Sequence, residues 1–398
     1  MVVKNARIVT FDKEYEGDIL IKDGLIQAIG RGFDDEEVVD AAGRYVLPGL
    51  IDLGVRPLDD RINSTNLERL SNSAQRGGVT SIGLLPDTNP PINDEISLEF
   101  VKSHRSSIDI LPLIHGLKDE GLSEISILLK KGALSVYVPS DINPYLLARI
   151  FEYAKMHQIV LFIEPKNSLF RDVGVMNDGR VSFELGLGGI SKLEEHAEVA
   201  KIIQYSEYYN VPVLFCAVST AKALDLIASS KLCYAQVSIH HLLFCDRACD
   251  GYNTWAKLSP PLRDDGERKE LLEALVSGRI DLLTSLHSPK SMVSKDLSFD
   301  EAAFGVDAIA SYLPLLYTHF VKSDLLSFPK VVELASSNAG CFAKKRAGKI
   351  EEGFVADLVL FDPNKSARLT INSLYQDTIV HGRVDAVMTK GEMRWVDF

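Results

Sequence analysis

The chain has 398 residues, 46% hydrophobic and 25% charged, with a formal net charge of −12, enough apolar chain to bury one sizeable core and a smaller second one. The acidic balance disfavours nucleic acid, whose phosphates need a clustered basic surface, and no apolar run reaches the roughly 18–20 residues of a membrane span. Residues 1–10 lack the apolar stretch of a secretory signal, and five cysteines without framework spacing fit free thiols in a reducing compartment, so a cytoplasmic protein with neither nucleic-acid nor membrane partners is expected.

Residues 2–45 show short strand patterns, with an Asp23-Gly24 hairpin signal between 18–22 and 25–29. From residue 49 onward eight apolar runs follow, at 50–55, 79–85, 109–115, 133–138, 159–164, 211–217, 234–240 and 280–286. Most are continuous Val, Ile and Leu, the pattern of strands buried on both faces. Helix-like stretches lie between them, such as 221–229 after Ser219-Thr220, or 267–276 after Asp265-Gly266 with Gly278 beyond. Strand then helix, eight times, predicts an α/β fold, a (β/α)8 TIM barrel over 48–345. Residues 349–398 return to β at 356–361 and 385–396. Isolated hairpins are marginal in water, so 1–47 and 346–398 are expected to pack together as one small β-sandwich domain.

Seven motifs run in colinear order along the whole chain: Pro48-Gly49-Leu50-Ile51-Asp52, Gly77-Gly78-Val79-Thr80, Pro86-Asp87-Thr88-Asn89-Pro90-Pro91, Val218-Ser219-Thr220, His240-His241-Leu242-Leu243, Pro260-Pro261-Leu262-Arg263 and Gly353-Phe354-Val355-Ala356-Asp357-Leu358. Together they resemble a dihydroorotase of the longer bacterial type, in the amidohydrolase superfamily. The resemblance implies a barrel of the amidohydrolase type with a β-sandwich built from both chain ends. It also implies chemistry at the C-terminal strand ends, where zinc held by imidazole and carboxylate ligands activates water against a cyclic amide.

By the same resemblance, the strand-one His-x-His falls on Gly54 and Arg56, and the strand-four lysine carbamate or aspartate falls near Val138 or Pro139. The strand-five histidine falls on Phe162, the strand-six histidine on Ala217 and the strand-eight aspartate on Leu286. The carboxylate-binding arginine falls on Leu58, and two asparagines fall on Asp87 and Ser259. Glycine, phenylalanine, alanine and leucine offer a metal no lone pair, and Arg56 sets a positive charge where a dication would sit. No zinc, no other cofactor and no catalytic residue are therefore expected. Asp87, His115, Glu164, His240, Ser259 and His287 are expected to remain as a vestigial pocket. Cys233, Cys245 and Cys249 lie near His240 in sequence, but their spacing is loose and free thiols are expected. Arg263 is expected to stabilise its loop, residues 34–37 to form a solvated acidic turn, and residues 309–320 to form an apolar helix, in the core or at an interface, which the sequence does not separate.

The resemblance thus implies a pseudo-enzyme of pyrimidine biosynthesis, a structural or regulatory subunit for aspartate carbamoyltransferase, self-associating most simply as a dimer. The partner comes from the resemblance alone. The alternative is an active dihydroorotase, or another cyclic amidohydrolase, with an unconventional site.

Overall fold

The computed structural model describes residues 1–396. Three parallel strands, Leu50–Val55, Val79–Leu84 and Asp109–Pro112, form one arc of a barrel. Six more, Ile114–His115, Val136–Pro139, Leu161–Glu164, Val213–Phe215, Cys233–Ser238 and Leu282–Thr284, form the other. The third expected strand, 109–115, therefore appears as two pieces. At the break, the Leu113 N–H still donates to Leu84 O at 3.0 Å while the Ile114 N–H donates to Ser135 O at 3.0 Å, so one strand passes from its earlier neighbour to its later one.

Among the described residues no ladder joins the first barrel strand to the last. One backbone bond, from the Arg56 N–H to His287 O at 2.8 Å, and a side chain make the seam. The fully buried Asp52 carboxylate accepts from Thr284 Oγ1 at 2.5 Å, from the Ser285 N–H at 3.1 Å and from Ser285 Oγ. The aspartate of Pro-Gly-Leu-Ile-Asp thus helps to close the barrel.

Strand alternation separates two buried layers. Leu53, Leu113, Tyr137, Phe162, Leu214 and Leu282 form a cluster inside the barrel. Val138, Ile163 and Phe215 belong to the larger cluster under the surrounding helices. The helix Ala221–Ala228 starts where expected, with the Thr220 side chain accepting from the Ala223 N–H. The helix Asp265–Val276 starts two residues earlier than expected, because Asp264 caps it through the Glu267 N–H.

The two chain ends share one continuous sheet. Its order is Glu392–Trp395, Ile379–Thr389, Leu358–Arg368, Tyr45–Pro48, Val2–Val9, Glu14–Lys22 and Leu25–Gly30, with Val38–Asp40 paired to Val2–Val9 off that path. The expected strand 385–396 is two strands, because Lys390 and Gly391 turn the chain at φ 52° and 83°. The sheet curls until its hairpin tips meet: a methyl group on Gly391 would lie 2.9 Å from Gly24 Cα. Inside it Val3, Ile8, Ile19, Ile26, Leu358 and Met388 make a core of their own. Ile309, Tyr312, Leu313, Leu316 and Phe320 are buried in the main core. Among the described residues no helix is long and apolar enough to cross a membrane, and all five cysteines are free.

Candidate functional site at the barrel mouth

The C-terminal strand ends converge on a cleft of about 260 Å3, walled by Arg56, Asp87, Glu164, Lys166, Arg171, Ser259, Leu286 and Lys290 among others. Its floor is a chain of charge-assisted hydrogen bonds. Arg56 donates through Nε to Asp87 Oδ1 at 3.0 Å and through Nη2 to Asp87 Oδ2 at 2.6 Å, the bidentate geometry that suits guanidinium to carboxylate. Arg56 Nη2 also reaches the Tyr137 hydroxyl at 3.4 Å, and that hydroxyl donates to Glu164 Oε2 at 2.6 Å. Lys166 Nζ lies 2.8 Å from the same Glu164 oxygen. On the rim, Arg171 donates to Glu194 Oε1 at 2.6 Å and to Ser259 Oγ at 2.7 Å, and Lys290 pairs with Asp60.

The electrostatics follow from this pairing. Burial alone would raise the Glu164 carboxyl, but Lys166, Arg56 and Arg171 outweigh it and hold the group at about 2. Burial works against the Arg56 charge, and the Asp87 carboxylate beside it more than compensates. Burial, reinforced by Asp87 and Glu164, pushes the Tyr137 hydroxyl well up, so it stays a donor.

The expected site positions divide. Arg56, Asp87, Glu164, Ser259 and Leu286 line the cleft. Leu286 does so at φ 42°, a left-handed backbone that costs a branched residue energy. Gly54 has no room for a side chain: a methyl group there would sit 2.8 Å from Thr284 Oγ1. Phe162 is fully buried in the inner cluster, and Ala217 is buried as well. Val138 is a correction, since strand alternation turns it outward toward the helices. Tyr137 points inward in its place, and Pro139 pairs with Glu164.

Three of the expected pocket histidines stand elsewhere. His287 lines a separate cleft of about 310 Å3 with Arg69, Arg76 and Asp307, and its Nδ1 accepts from the Ala308 and Ile309 N–H groups at 3.3 and 3.4 Å. His115 does not line the mouth cleft. It is partly buried, its Nδ1 lies 3.1 Å from the Leu117 nitrogen, and burial lowers its pKa. His240 is fully buried, with both ring nitrogens engaged at 2.7 Å, Nδ1 by the Tyr375 hydroxyl and Nε2 by Ser285 O. Its neighbour His241 is held by Ser238 Oγ at 2.7 Å and Pro260 O at 3.1 Å. Burial drives the two imidazoles down to about 3 and about 4, so both are neutral at pH 7. Arg263 ties three segments together through Ser219 Oγ, Asn177 Oδ1 and Ile190 O. Burial pushes the Cys249 thiol up to about 12, an unreactive group.

The family profile described as amidohydrolase matches residues 188–394. A dihydroorotase of Ruminiclostridium cellulolyticum is 30% identical over 419 residues, covering 98% of this chain and 97% of its own length. The chain belongs to the amidohydrolase family. A dihydroorotase of Pelobacter propionicus is 32% identical over 384 residues, covering 91% of this chain and 90% of its own. Among solved structures, the L-hydantoinase (dihydropyrimidinase) of Arthrobacter aurescens superposes with a TM-score of 0.89 at 22% identity, covering 98% of this chain and 95% of its own. A D-hydantoinase from a Thermus species gives 0.85 at 23% identity, covering 100% and 96%. These two establish the fold of this dihydroorotase-like amidohydrolase.

The residues present do not fit the zinc that such a barrel implies. Among the described residues no group of three or more His, Cys, Asp or Glu side chains is placed to hold a metal ion. At the strand-one end a guanidinium already neutralises Asp87, and the His240 lone pair is taken by Tyr375. Sequence reasoning missed Tyr137, Lys166, Arg171 and Lys290 at the site, and the role of Asp52 at the seam. No sequence signal selects Tyr137 over Val138, because the register that sets Tyr137 opposite the inward Phe162 is given by the fold.

Proposed function

We propose that this dihydroorotase-like amidohydrolase does not hydrolyse dihydroorotate, and that it serves pyrimidine biosynthesis in the cytoplasm as a structural or regulatory subunit of aspartate carbamoyltransferase. The observation that carries the reading is the Arg56–Asp87 pair at the strand-one end, where a hydrolytic barrel would hold its metal. Bound metal brings the pKa of water from 15.7 to about 7, and without it the cleft must supply a strong base. Asp87 is tied to Arg56, and a carboxylate held at about 2, as Glu164 is, accepts protons poorly. A barrel whose pocket is locked while its fold is intact serves through its surface, and we include self-association, most simply as a dimer.

Dihydroorotate turnover measured beside the metal content of the purified chain tests the catalytic half. Turnover indistinguishable from background is expected, unchanged by restoring histidines at Gly54 and Arg56. A rate of about 1 s⁻¹ or more, or one or two zinc ions per chain lost on replacing His240 or His287, overturns it. The partner half is tested by mixing the chain with aspartate carbamoyltransferase at micromolar concentrations. No change in complex mass, transferase activity or thermal stability refutes it. A second reading, an active dihydroorotase with an unconventional site, is favoured by end-to-end similarity to proteins named dihydroorotase, and the same turnover assay decides between the two.

A further inference from the structure

The cleft of about 310 Å3 that His287 lines lies between the helix Ser64–Arg76 and the segment after the last barrel strand, and it shares no wall residue with the mouth. Alternate residues of that segment divide the two spaces: Leu286, Ser288 and Lys290 face the mouth, His287 and Pro289 the outer cleft. The helix wall is a single stripe. Arg69, Asn72, Ser73 and Arg76 stand at i, i+3, i+4 and i+7 and so share one face. Among the described residues neither guanidinium has a hydrogen-bond or ion-pair partner. The one carboxylate in the wall, Asp307, stands 3.5 Å from His287 Nδ1 and within ion-pair reach of neither arginine. In the mouth each cation has its own carboxylate; here two free guanidinium groups face one.

The opposite wall supplies a second, independent observation. His287 is only 2% exposed, and its Nδ1 accepts from the Ala308 and Ile309 N–H groups, so the ring carries its proton on Nε2. Among the described residues that N–H has no partner, and its nitrogen is open to the cleft rather than sealed in protein. Buried donors are nearly always hydrogen-bonded, and an acceptor in the cleft completes this one. Donors therefore converge from two walls on one space. Guanidinium groups suit phosphate oxygens, and a tetrahedral group presents oxygens to both walls where a planar carboxylate presents two in one plane. The space equals about ten waters, room for a small phosphorylated molecule. Seven residues span about 10.5 Å of helix, so the stripe holds one phosphate between bent arms or two in a row.

We propose that this outer cleft binds the phosphate group of a small molecule through Arg69, Arg76 and His287 Nε2. The site stands whether or not the mouth hydrolyses. Because His287 O also accepts the Arg56 N–H at 2.8 Å, the bound anion touches the residue that ties the last barrel strand to the first.

Calorimetric titration of the full chain at constant ionic strength, with inorganic phosphate in one arm and pyrophosphate in the other, tests the site. One saturable site per chain is expected in at least one arm, with Kd about 1 mM or tighter, and the tighter arm tells whether one phosphate or two occupies the stripe. Arg69→Met and Arg76→Met should each weaken binding about tenfold or more. Both side chains are exposed and make no internal bond, so their loss leaves the fold intact. Arg105→Met, which removes an exposed arginine outside the cleft, should bind as the unmodified chain does. No saturable heat in either arm, affinity unchanged in either cleft variant, or an equal loss in Arg105→Met overturns the proposal.

Discussion

Asp52→Ala tests whether a side chain closes the barrel. The carboxylate is fully buried and takes three donors from the last strand end, the Thr284 hydroxyl and both the amide and the hydroxyl of Ser285. Removing it strands them. Two hydroxyls can rotate toward other acceptors; the Ser285 amide cannot. Each buried donor left unpaired costs about 1–3 kcal/mol. Against this, burial pushes the Asp52 carboxyl up despite those bonds, so the variant also relieves a desolvation cost. The balance is a loss of about 3 kcal/mol. With an unfolding entropy of about 2.1 cal/mol/K per residue, a 398-residue chain melting as one unit loses about 1 °C per 0.8 kcal/mol. The expected drop in Tm is then about 4 °C, read by calorimetry at pH 7. A variant melting within about 1 °C of the unmodified chain would show that packing and the backbone bond from Arg56 to His287 close the barrel and that the aspartate is incidental.

Gly49→Ala should destabilise by about 1–3 kcal/mol, because its methyl group would lie 2.1 Å from Thr80 Oγ1; urea midpoints check this, and Thr80→Ala in the same chain should recover part of the loss. Tyr375→Phe removes the donor to His240 Nδ1 and should cost about 1–2 kcal/mol by the same measurement. The Glu164 carboxyl sits at about 2 against an ordinary 4.5, so its contribution is complete above about pH 4.5 and fades as the pH falls toward 2. Melting temperatures across that window should fall more steeply for the unmodified chain than for Glu164→Gln, the two converging at the acid end; parallel profiles would contradict the assignment.

The barrel was legible because its strands are buried on both faces and therefore read as unbroken aliphatic runs; 50–55 and 79–85 correspond closely to Leu50–Val55 and Val79–Leu84. The Asp23-Gly24 turn also appears where its residue types place it, with Lys22 opposite Leu25. Boundaries suffered where a cap or a turn decides them, as at Asp264 and at Lys390-Gly391. The site was legible only at single positions. Arg56, Asp87 and Glu164 stood out individually, but their pairing spans 31 residues in one case and runs through Tyr137 in the other, and nothing local in a sequence encodes such a meeting. The histidines misled for the opposite reason. Their residue type suggests a site, while their state is set by Tyr375, 135 positions from His240.

The strand Tyr45–Pro48 sits between Val2–Val9 and Leu358–Arg368, with Tyr45 opposite Phe361. During synthesis the ribosome must therefore make the entire barrel before the inner edge of the N-terminal strands finds its neighbour. At about 5–20 residues per second that edge waits roughly 15–60 s, an apolar strand flank in a crowded solution, where unpaired edges invite pairing with other chains. Demand for chaperone cover should accordingly concentrate on the first fifty residues of the nascent chain. A permuted gene that encoded the last strands ahead of the first would deliver the whole sheet in one short stretch, so the exposure belongs to strand order and not to the fold.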